Sequence, residues 1–361
     1  MKVVIFCGGF GTRMWPISRK SLPKQFYPII KGKSFFEITF SRFRKVFEPE
    51  DIYVSTEARY VKFIRKQAPS IPLKNIIAEP ERKDNLAAIG LATAVIHKHS
   101  PNEVMLISWS DHLINQEDEF LRAFKTAGEY AGETGLIVSV DEEPKYPNVH
   151  LGYVKLGETV DEYKGLRIVR ITKHIEKPDL ETAKGFLRSG GYLQNTGYRA
   201  WRTDIMLGYF EKYAAEMYKG LMVITDHLSD KNYETFLYRE YHKFQKDSIE
   251  TGIFEKLPNN VRATIPVSVG WEDSGTWELL YRALRVNENE NVLEGGAELQ
   301  HIESSGNLII GPKGKLIGLI GLSGVVVIDT PDGLLVSNIS TTDKVKELFK
   351  TLEKTKPELV E

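Results

Sequence analysis

The residues best suited to chemistry stand close together near the start of the chain. They are Gly8-Gly9-Phe10-Gly11-Thr12-Arg13-Met14-Trp15-Pro16-Ile17-Ser18-Arg19, followed by Pro23-Lys24-Gln25-Phe26. The glycines come directly after Lys2–Cys7, a β-branched run that reads as a strand. A glycine loop after a strand lets backbone N–H groups approach an anion closely, and Arg13 and Lys24 add fixed positive charge. The combination suits a polyphosphate. Neither of two common phosphate loops fits. A dinucleotide loop needs glycine where Met14 stands, and a P-loop ending at Gly32-Lys33-Ser34 needs glycine where Tyr27 stands.

Two aspartates fit the same chemistry. Asp111 follows the strand-like run Glu103–Trp109, and Asp273 lies in a glycine turn, Trp271-Glu272-Asp273-Ser274-Gly275. Magnesium takes one or two carboxylates and completes its shell with phosphate oxygens and water, so two separated aspartates can converge on one ion. Taken singly, either is an ordinary turn former or helix cap. Other polar residues have plain explanations. His97 and His99 end a helix, where cations are favoured. Cys7 reads as a small buried packing residue, and Tyr209, Phe210, Tyr213 and Met217 as one core-facing set. Lys184 and Arg188 read as solvated.

These residues need a frame that alternates strand and helix. Asp51–Ser55, Glu103–Trp109 and Leu136–Val140 read as further strands. Helical spacing marks Ser34–Val46, Asn85–His97 (capped by Asp84) and Phe120–Ala131. That alternation predicts an open α/β sheet, with ligands beyond the carboxyl ends of strands, where Gly8, Asp111 and Asp141 stand. Gly152–Leu156 and Leu166–Glu176 read as an antiparallel pair. Asp204–Met217, Asn232–Phe244 and Thr276–Val286 read as helices, and Ala263–Val269 as a strand. Asn289–Gly296 reads as a linker. Beyond it lie short strands at Asn307–Ile310, Lys315–Leu319, Val325–Asp329 and Leu334–Ser337, with turns at Gly311-Pro312-Lys313-Gly314 and Thr330-Pro331-Asp332-Gly333. The turns recur at about 20 residues, the pattern of a small β-helix or β-prism. Thr342–Lys354 closes as a helix with Val345, Leu348, Phe349 and Leu352 on one side. The expected domains are 1–287, catalytic, and 288–361, a small β-rich domain.

Composition excludes several function classes. The chain has 48 Lys+Arg against 49 Asp+Glu, a net charge of −1, so no basic excess favours nucleic acid or an anionic membrane surface. One cysteine among 361 residues fits a reducing cytoplasm. No apolar run is long enough for a membrane span or a signal peptide, so the sequon Asn338-Ile339-Ser340 is expected to stay unmodified.

The opening motif resembles the signature of sugar-phosphate nucleotidyltransferases. Trp15 and Lys24-Gln25-Phe26 place the resemblance closest to the mannose-1-phosphate guanylyltransferases, also called GDP-mannose pyrophosphorylases. Later segments agree in order: Ser110-Asp111-His112, Ile175-Glu176-Lys177-Pro178, Asn195-Thr196-Gly197, Ser248-Ile249-Glu250 through Glu255-Lys256, and Gly270-Trp271-Glu272-Asp273-Ser274-Gly275-Thr276-Trp277. The resemblance covers residues 1 to about 285, and the β-rich tail is similar to the C-terminal region of the same enzymes. It implies a Rossmann-like open mixed sheet of the GT-A-like nucleotidyltransferase type with a C-terminal β-helix or β-prism. It implies transfer of a nucleotidyl group from GTP to mannose 1-phosphate, giving GDP-mannose and pyrophosphate, with Mg²⁺ and a homodimer.

On this resemblance Arg13, Lys24, Asp111 and Asp273 are catalytic, and Asp111 and Asp273 hold the metal. Gly8, Gly9, Gly11, Thr12, Arg13, Glu79 and Asn85 bind the nucleotide, with Glu79 suited to the guanine N1–H and N2–H₂ edge. Gly152, Glu176, Lys177 and Asn195 bind the sugar phosphate: Lys177 for the phosphate, Glu176 and Asn195 as acceptors for hydroxyls. Three departures from the family pattern leave other substrates open, such as heptose or glucose 1-phosphate: Asp84-Asn85, Val149-His150-Leu151, and Gln194 in place of tryptophan. A non-catalytic nucleotide-sugar-binding subunit is a third reading, but it predicts loss of the loop cations or metal carboxylates, and all are present. The longer bifunctional relatives append an isomerase domain, and the roughly 70 residues beyond the catalytic part are too few for one.

Overall fold

The computed structural model describes all residues from Met1 to Glu361. They form two compact units that do not follow chain order. The first comprises Met1–Gly8, Phe43–Trp109 and Asn115–Trp271, and the second Gly9–Arg42, Ser110–Ile114 and Glu272–Glu361.

The first unit is built on a ten-stranded mixed sheet. Its strand order is Arg262–Val267, Leu166–Ile175, Tyr153–Tyr163, Tyr192–Gln194, Ile137–Glu142, Arg199–Arg202, Val104–Trp109, Lys2–Phe6, Ile52–Glu57 and Ile76–Glu79. The last four run parallel, and their registers pair Val3 with Ile52, Val3 with Leu106 and Val54 with Ile76. Parallel neighbours require crossovers, supplied by helices such as Val61–Gln67 and Asn85–His99. Strands covered on both faces are apolar throughout, which is why Val3, Val4 and Ile5 are fully buried. Helix Asn85–His99 is apolar all round, and Leu86 through Ile96 are buried. Asp84 caps it, accepting from Asn85 N at 2.9 Å, as its place before the apolar run predicts.

The open α/β sheet anticipated from the sequence is present, with differences in detail. Asp141 does not follow a strand but lies inside Ile137–Glu142, fully buried. The helix expected over 204–217 is two, Thr203–Tyr213 and Ala215–Asp226, separated by the non-helical Ala214 at φ −141°, ψ 49°. Strands Ile76–Glu79, Tyr192–Gln194 and Arg199–Arg202 are additions. No helix is long and apolar enough to cross a membrane.

The second unit joins the glycine-loop segment to the C-terminal strands. Val292–Glu294, Leu308–Ile310 and Val325–Thr330 stack in parallel, as do Glu298–Ile302 and Leu316–Ile320. Coils step by 16 to 18 residues, since Val292 faces Leu308, Leu308 faces Val326 and Glu298 faces Leu316. This is a short β-helix, and it corrects two expectations. The stretch expected as a linker contains strand Val292–Glu294, and the Thr330–Gly333 turn closes an antiparallel hairpin with Gly333–Asn338 rather than another coil. In the terminal helix Val345–Thr355, Val345 and Phe349 are buried but Leu348 is exposed.

One core spans this unit, with Met14, Trp15, Phe35, Trp277, Leu308 and Ile328 among its members. Polar contacts extend it. Trp15 Nε1 donates to Leu359 O at 3.0 Å, Trp277 Nε1 donates to Trp15 O at 3.2 Å, and Arg19 grips Asp332 through two bonds of 2.9 and 2.6 Å. The half of the signature loop that follows Arg13 is therefore anchored by C-terminal residues.

Candidate active site

Within the second unit the loop glycines have separable roles. Gly9 and Gly11 have φ of +86° and +67°, a left-handed region that favours glycine. At Gly11 a Cβ would also lie 2.7 Å from Lys24 Cγ, so the bare backbone is what lets the lysine stem pass. Gly9 faces open space. Thr12 and Arg13 begin a short 3₁₀ turn that ends at the buried Met14.

Lys24 is buried, and its Nζ is held 2.8 Å from Asp111 Oδ2 and 3.0 Å from Ser274 O. Its backbone N donates to Ser18 Oγ at 3.2 Å. Burial acts to raise the Asp111 carboxyl, but the Lys24 ammonium and His112 overcome it and hold the group down at about 2. Asp111 is therefore ionised at neutral pH. Burial lowers the neighbouring His112, against the pull of Asp111 and Asp273. Arg13 and Asp273 flank Gly275: a Cβ there would meet Arg13 Nη2 at 3.3 Å and Asp273 Oδ1 at 3.2 Å. The side chains of Arg13 and Asp273 make no hydrogen bond or ion pair with the protein. The structure thus brings together all four residues read as catalytic.

The donor set fits magnesium. Asp111 and Asp273 offer hard carboxylate oxygens, and Asp273 is uncommitted. No group of three or more His, Cys, Asp or Glu side chains is placed to hold a metal ion, so there is no all-protein cage. Magnesium does not require one when phosphate oxygens and water complete its shell.

The first unit carries Gly8, which ends the first strand segment, and the other residues read as ligand-binding, in two groups. Glu79 ends strand Ile76–Glu79 and is buried. Its Oε1 accepts from Ser55 Oγ at 2.9 Å and its Oε2 from Tyr241 Oη at 2.7 Å. Burial pushes this carboxyl up to about 7, against the pull of those two hydrogen bonds. Each carboxylate oxygen has two acceptor positions, so one on each remains for a ligand. Asn85 faces elsewhere. Its Oδ1 accepts from Ile249 N at 2.7 Å, and its Nδ2 lies 3.5 Å from Glu250 Oε2. Glu79 and Asn85 are therefore not joined by a hydrogen bond.

The sugar-phosphate candidates form the second group. At Gly152 a Cβ would lie 2.7 Å from Glu176 Oε2 and 3.6 Å from Asn195 Nδ2. Asn195 N donates to Gly152 O at 2.9 Å. Lys177 has φ of +43°, a strained value for a residue with a side chain. It pairs with Glu176 Oε1 at 2.9 Å, and both side chains are more than half exposed. Ser55, Tyr241 and Arg199 are partners that no sequence motif marked. For Arg199 a signal exists: it is the one charged residue within Tyr198-Arg199-Ala200-Trp201, otherwise apolar and aromatic.

Comparisons with known proteins give the family of the chain. Residues 2–290 match the nucleotidyl transferase family model, and residues 299–352 match the MannoseP isomerase/GMP-like β-helix domain. The mannose-1-phosphate guanylyltransferase RfbM of Salmonella typhimurium is 29% identical over 356 residues, covering 97% of this chain and 72% of that protein. The alginate biosynthesis protein AlgA of Pseudomonas putida is 28% identical over 355 residues, covering 97% and 71%. A crystal structure from Thermus thermophilus, described as a mannose-1-phosphate geranyltransferase, superposes with a TM-score of 0.87 at 26% identity, covering 98% of this chain and 99% of that one. With the family model matched across the glycine loop, both aspartates and every ligand-binding candidate, this chain belongs to the nucleotidyl transferase family.

Proposed function

We propose that this protein transfers the guanylyl group of GTP to mannose 1-phosphate, forming GDP-mannose and pyrophosphate. The observation that carries the reading is the cluster of Arg13, Lys24, Asp111 and Asp273, two cations and two carboxylates of which Arg13 and Asp273 have no protein partner. Relatives named mannose-1-phosphate guanylyltransferase, similar over 97% of the chain, support the choice of sugar and base.

An oxygen of the sugar phosphate attacks the α-phosphorus of GTP in line. A new P–O–P bridge forms, the bond from the α-phosphorus to the bridging oxygen breaks, and pyrophosphate leaves with the electron pair. The attacking phosphate is already anionic at neutral pH, so no protein base is required. Catalysis then rests on positioning and charge neutralisation. Arg13 and the N–H groups of Gly8, Gly9, Gly11 and Thr12 hold the departing phosphates. Lys24, fixed by Asp111 and Ser274 O, stabilises the α-phosphate. Glu79 accepts from the guanine edge, and Asn85 supports the nucleotide side through Glu250. Lys177 meets the sugar phosphate, and Glu176 accepts a hydrogen bond from a hydroxyl beside Gly152. Asp111 and Asp273 would hold a magnesium ion, which supplies added positive charge at the phosphate oxygens when bound.

The protein works as a homodimer in the cytoplasm on this reading. Support for the dimer is a set of exposed apolar residues on the C-terminal strands, Ile302, Leu316, Ile320, Leu334 and Val336, each at least 59% exposed. Cys7, buried and outside any disulfide, is at home in a reducing compartment. The test is pyrophosphate release with magnesium across a panel of nucleoside triphosphates and sugar 1-phosphates. GTP with mannose 1-phosphate is expected to give the highest kcat/KM. Release that is highest with glucose or heptose 1-phosphate would overturn the sugar assignment.

A further inference from the structure

Arg199 is a costly residue to place where it is. It opens strand Arg199–Arg202 in the interior of the ten-stranded sheet, paired with Ile107 on one side and Ser139 on the other, and is 2% exposed. A buried guanidinium is tolerated only when its donors are matched. Here Nη1 donates to Glu250 Oε1 at 3.0 Å and Nη2 to Asn195 Oδ1 at 3.2 Å, and the guanidinium lies over the Phe254 ring at 4.2 Å. Glu250 is itself braced at the start of a short helix by its contact with Asn85.

Asn195 is where this matters. Its Oδ1 receives a second donor, Gly197 N, at 3.1 Å. Two N–H groups converging on one atom settle which end of the amide is oxygen, because an amide nitrogen in that place would face two donors. The Nδ2 end must therefore be the one turned toward Gly152, where Glu176 Oε2 also points. The bare face of Gly152 is thus flanked by a donor, Asn195, and an acceptor, Glu176. That pair is complementary to two hydroxyls, one accepting and one donating. It also revises the sequence reading, in which Asn195 was an acceptor.

We propose that Arg199 is a positioning residue: it locks the amide of Asn195 with its donor end outward and so sets affinity for the sugar 1-phosphate. This rests on the functional reading above. A planar fork suits this place because one guanidinium arm is held by Glu250 while the other holds Asn195, a geometry that a lysine ammonium on its flexible stem does not preorganise.

The test is a double-mutant cycle read in steady-state kinetics with GTP and mannose 1-phosphate. Arg199→Met is expected to raise KM for the sugar phosphate about tenfold and leave KM for GTP within about twofold. Asn195→Ala is expected to do the same, and the double variant to be no worse than Asn195→Ala alone. Arg199→Lys, which keeps the charge beside Glu250, is expected not to restore KM. Effects that multiply in the double variant, equal rises in both KM values, or full rescue by lysine would overturn the proposal. If Arg199→Met does not fold, Arg199→Gln, which leaves a neutral donor beside Glu250, replaces it in the same cycle. If the wild-type protein releases no pyrophosphate, the functional reading fails instead, and calorimetric binding of mannose 1-phosphate by the same variants decides the proposal for Arg199.

Discussion

The cation–carboxylate cluster of the second unit and the hydrogen-bonded groups of the first are completed to different degrees. Around Lys24, one ion pair is closed while Arg13 and Asp273 stand open. Around Glu79 and Asn195, the carboxylate and amide oxygens already accept bonds from Ser55, Tyr241, Arg199 and Gly197. An open guanidinium can take up an anion and an open carboxylate a cation, whereas satisfied networks hold their geometry before anything binds. The first arrangement suits charge stabilisation in a reaction, the second discrimination among ligands.

That contrast can be broken most forcefully at Arg13. A residue with no protein partner contributes little to the fold, so Arg13→Ala is expected to change stability by no more than about 0.5 kcal/mol. Loss of a preorganised cation at the phosphates is expected to lower kcat by about 10²- to 10³-fold. Denaturant melts and turnover on the same preparation check both. Equal losses in stability and activity would mean that Arg13 is structural, and the contrast would fall.

Glu79 sharpens the other side. Its carboxyl titrates at about 7 in the folded chain, against 4.5 in the unfolded one. The native state therefore binds more protons between those values. The contribution of Glu79 to stability is present below pH 4.5 and is lost as pH rises through about 7. The loss is expected to be at most about 3 kcal/mol. Glu79→Gln keeps an acceptor for Tyr241 without the titration, and scanning calorimetry from pH 5 to 8 is expected to show a flatter profile. An unchanged pH slope would show that the Ser55–Glu79–Tyr241 group does not carry that dependence.

How far the sequence reached follows the same division. Local features were legible: the glycine loop after the first strand, the Asp84 cap and the alternation of strand and helix, and the structure brings Arg13, Lys24, Asp111 and Asp273 together. What could not be read was pairing over long separations. Nothing near Lys24 indicates that Asp111 and Ser274 will hold it, and nothing near Trp15 indicates Leu359. Strands Ile76–Glu79 and Glu298–Ile302 escaped notice because one is four residues long and the other is largely exposed, with no continuous apolar run. Arg199 was missed because a charged residue in a short buried strand reads against its own element. Only the fold reveals that Glu250 and Asn195 meet it.

Nucleotidyl transfer breaks the bond between the α-phosphorus and the oxygen bridging it to the β-phosphorus, and isotopic label decides whether that bond is broken. The protein is incubated with mannose 1-phosphate, magnesium and GTP labelled at either the α- or the γ-phosphorus. The α-label is expected to appear in GDP-mannose and the γ-label in pyrophosphate, in equal amounts. Release of γ-label as orthophosphate, with no α-label in a sugar nucleotide, would contradict nucleotidyl transfer.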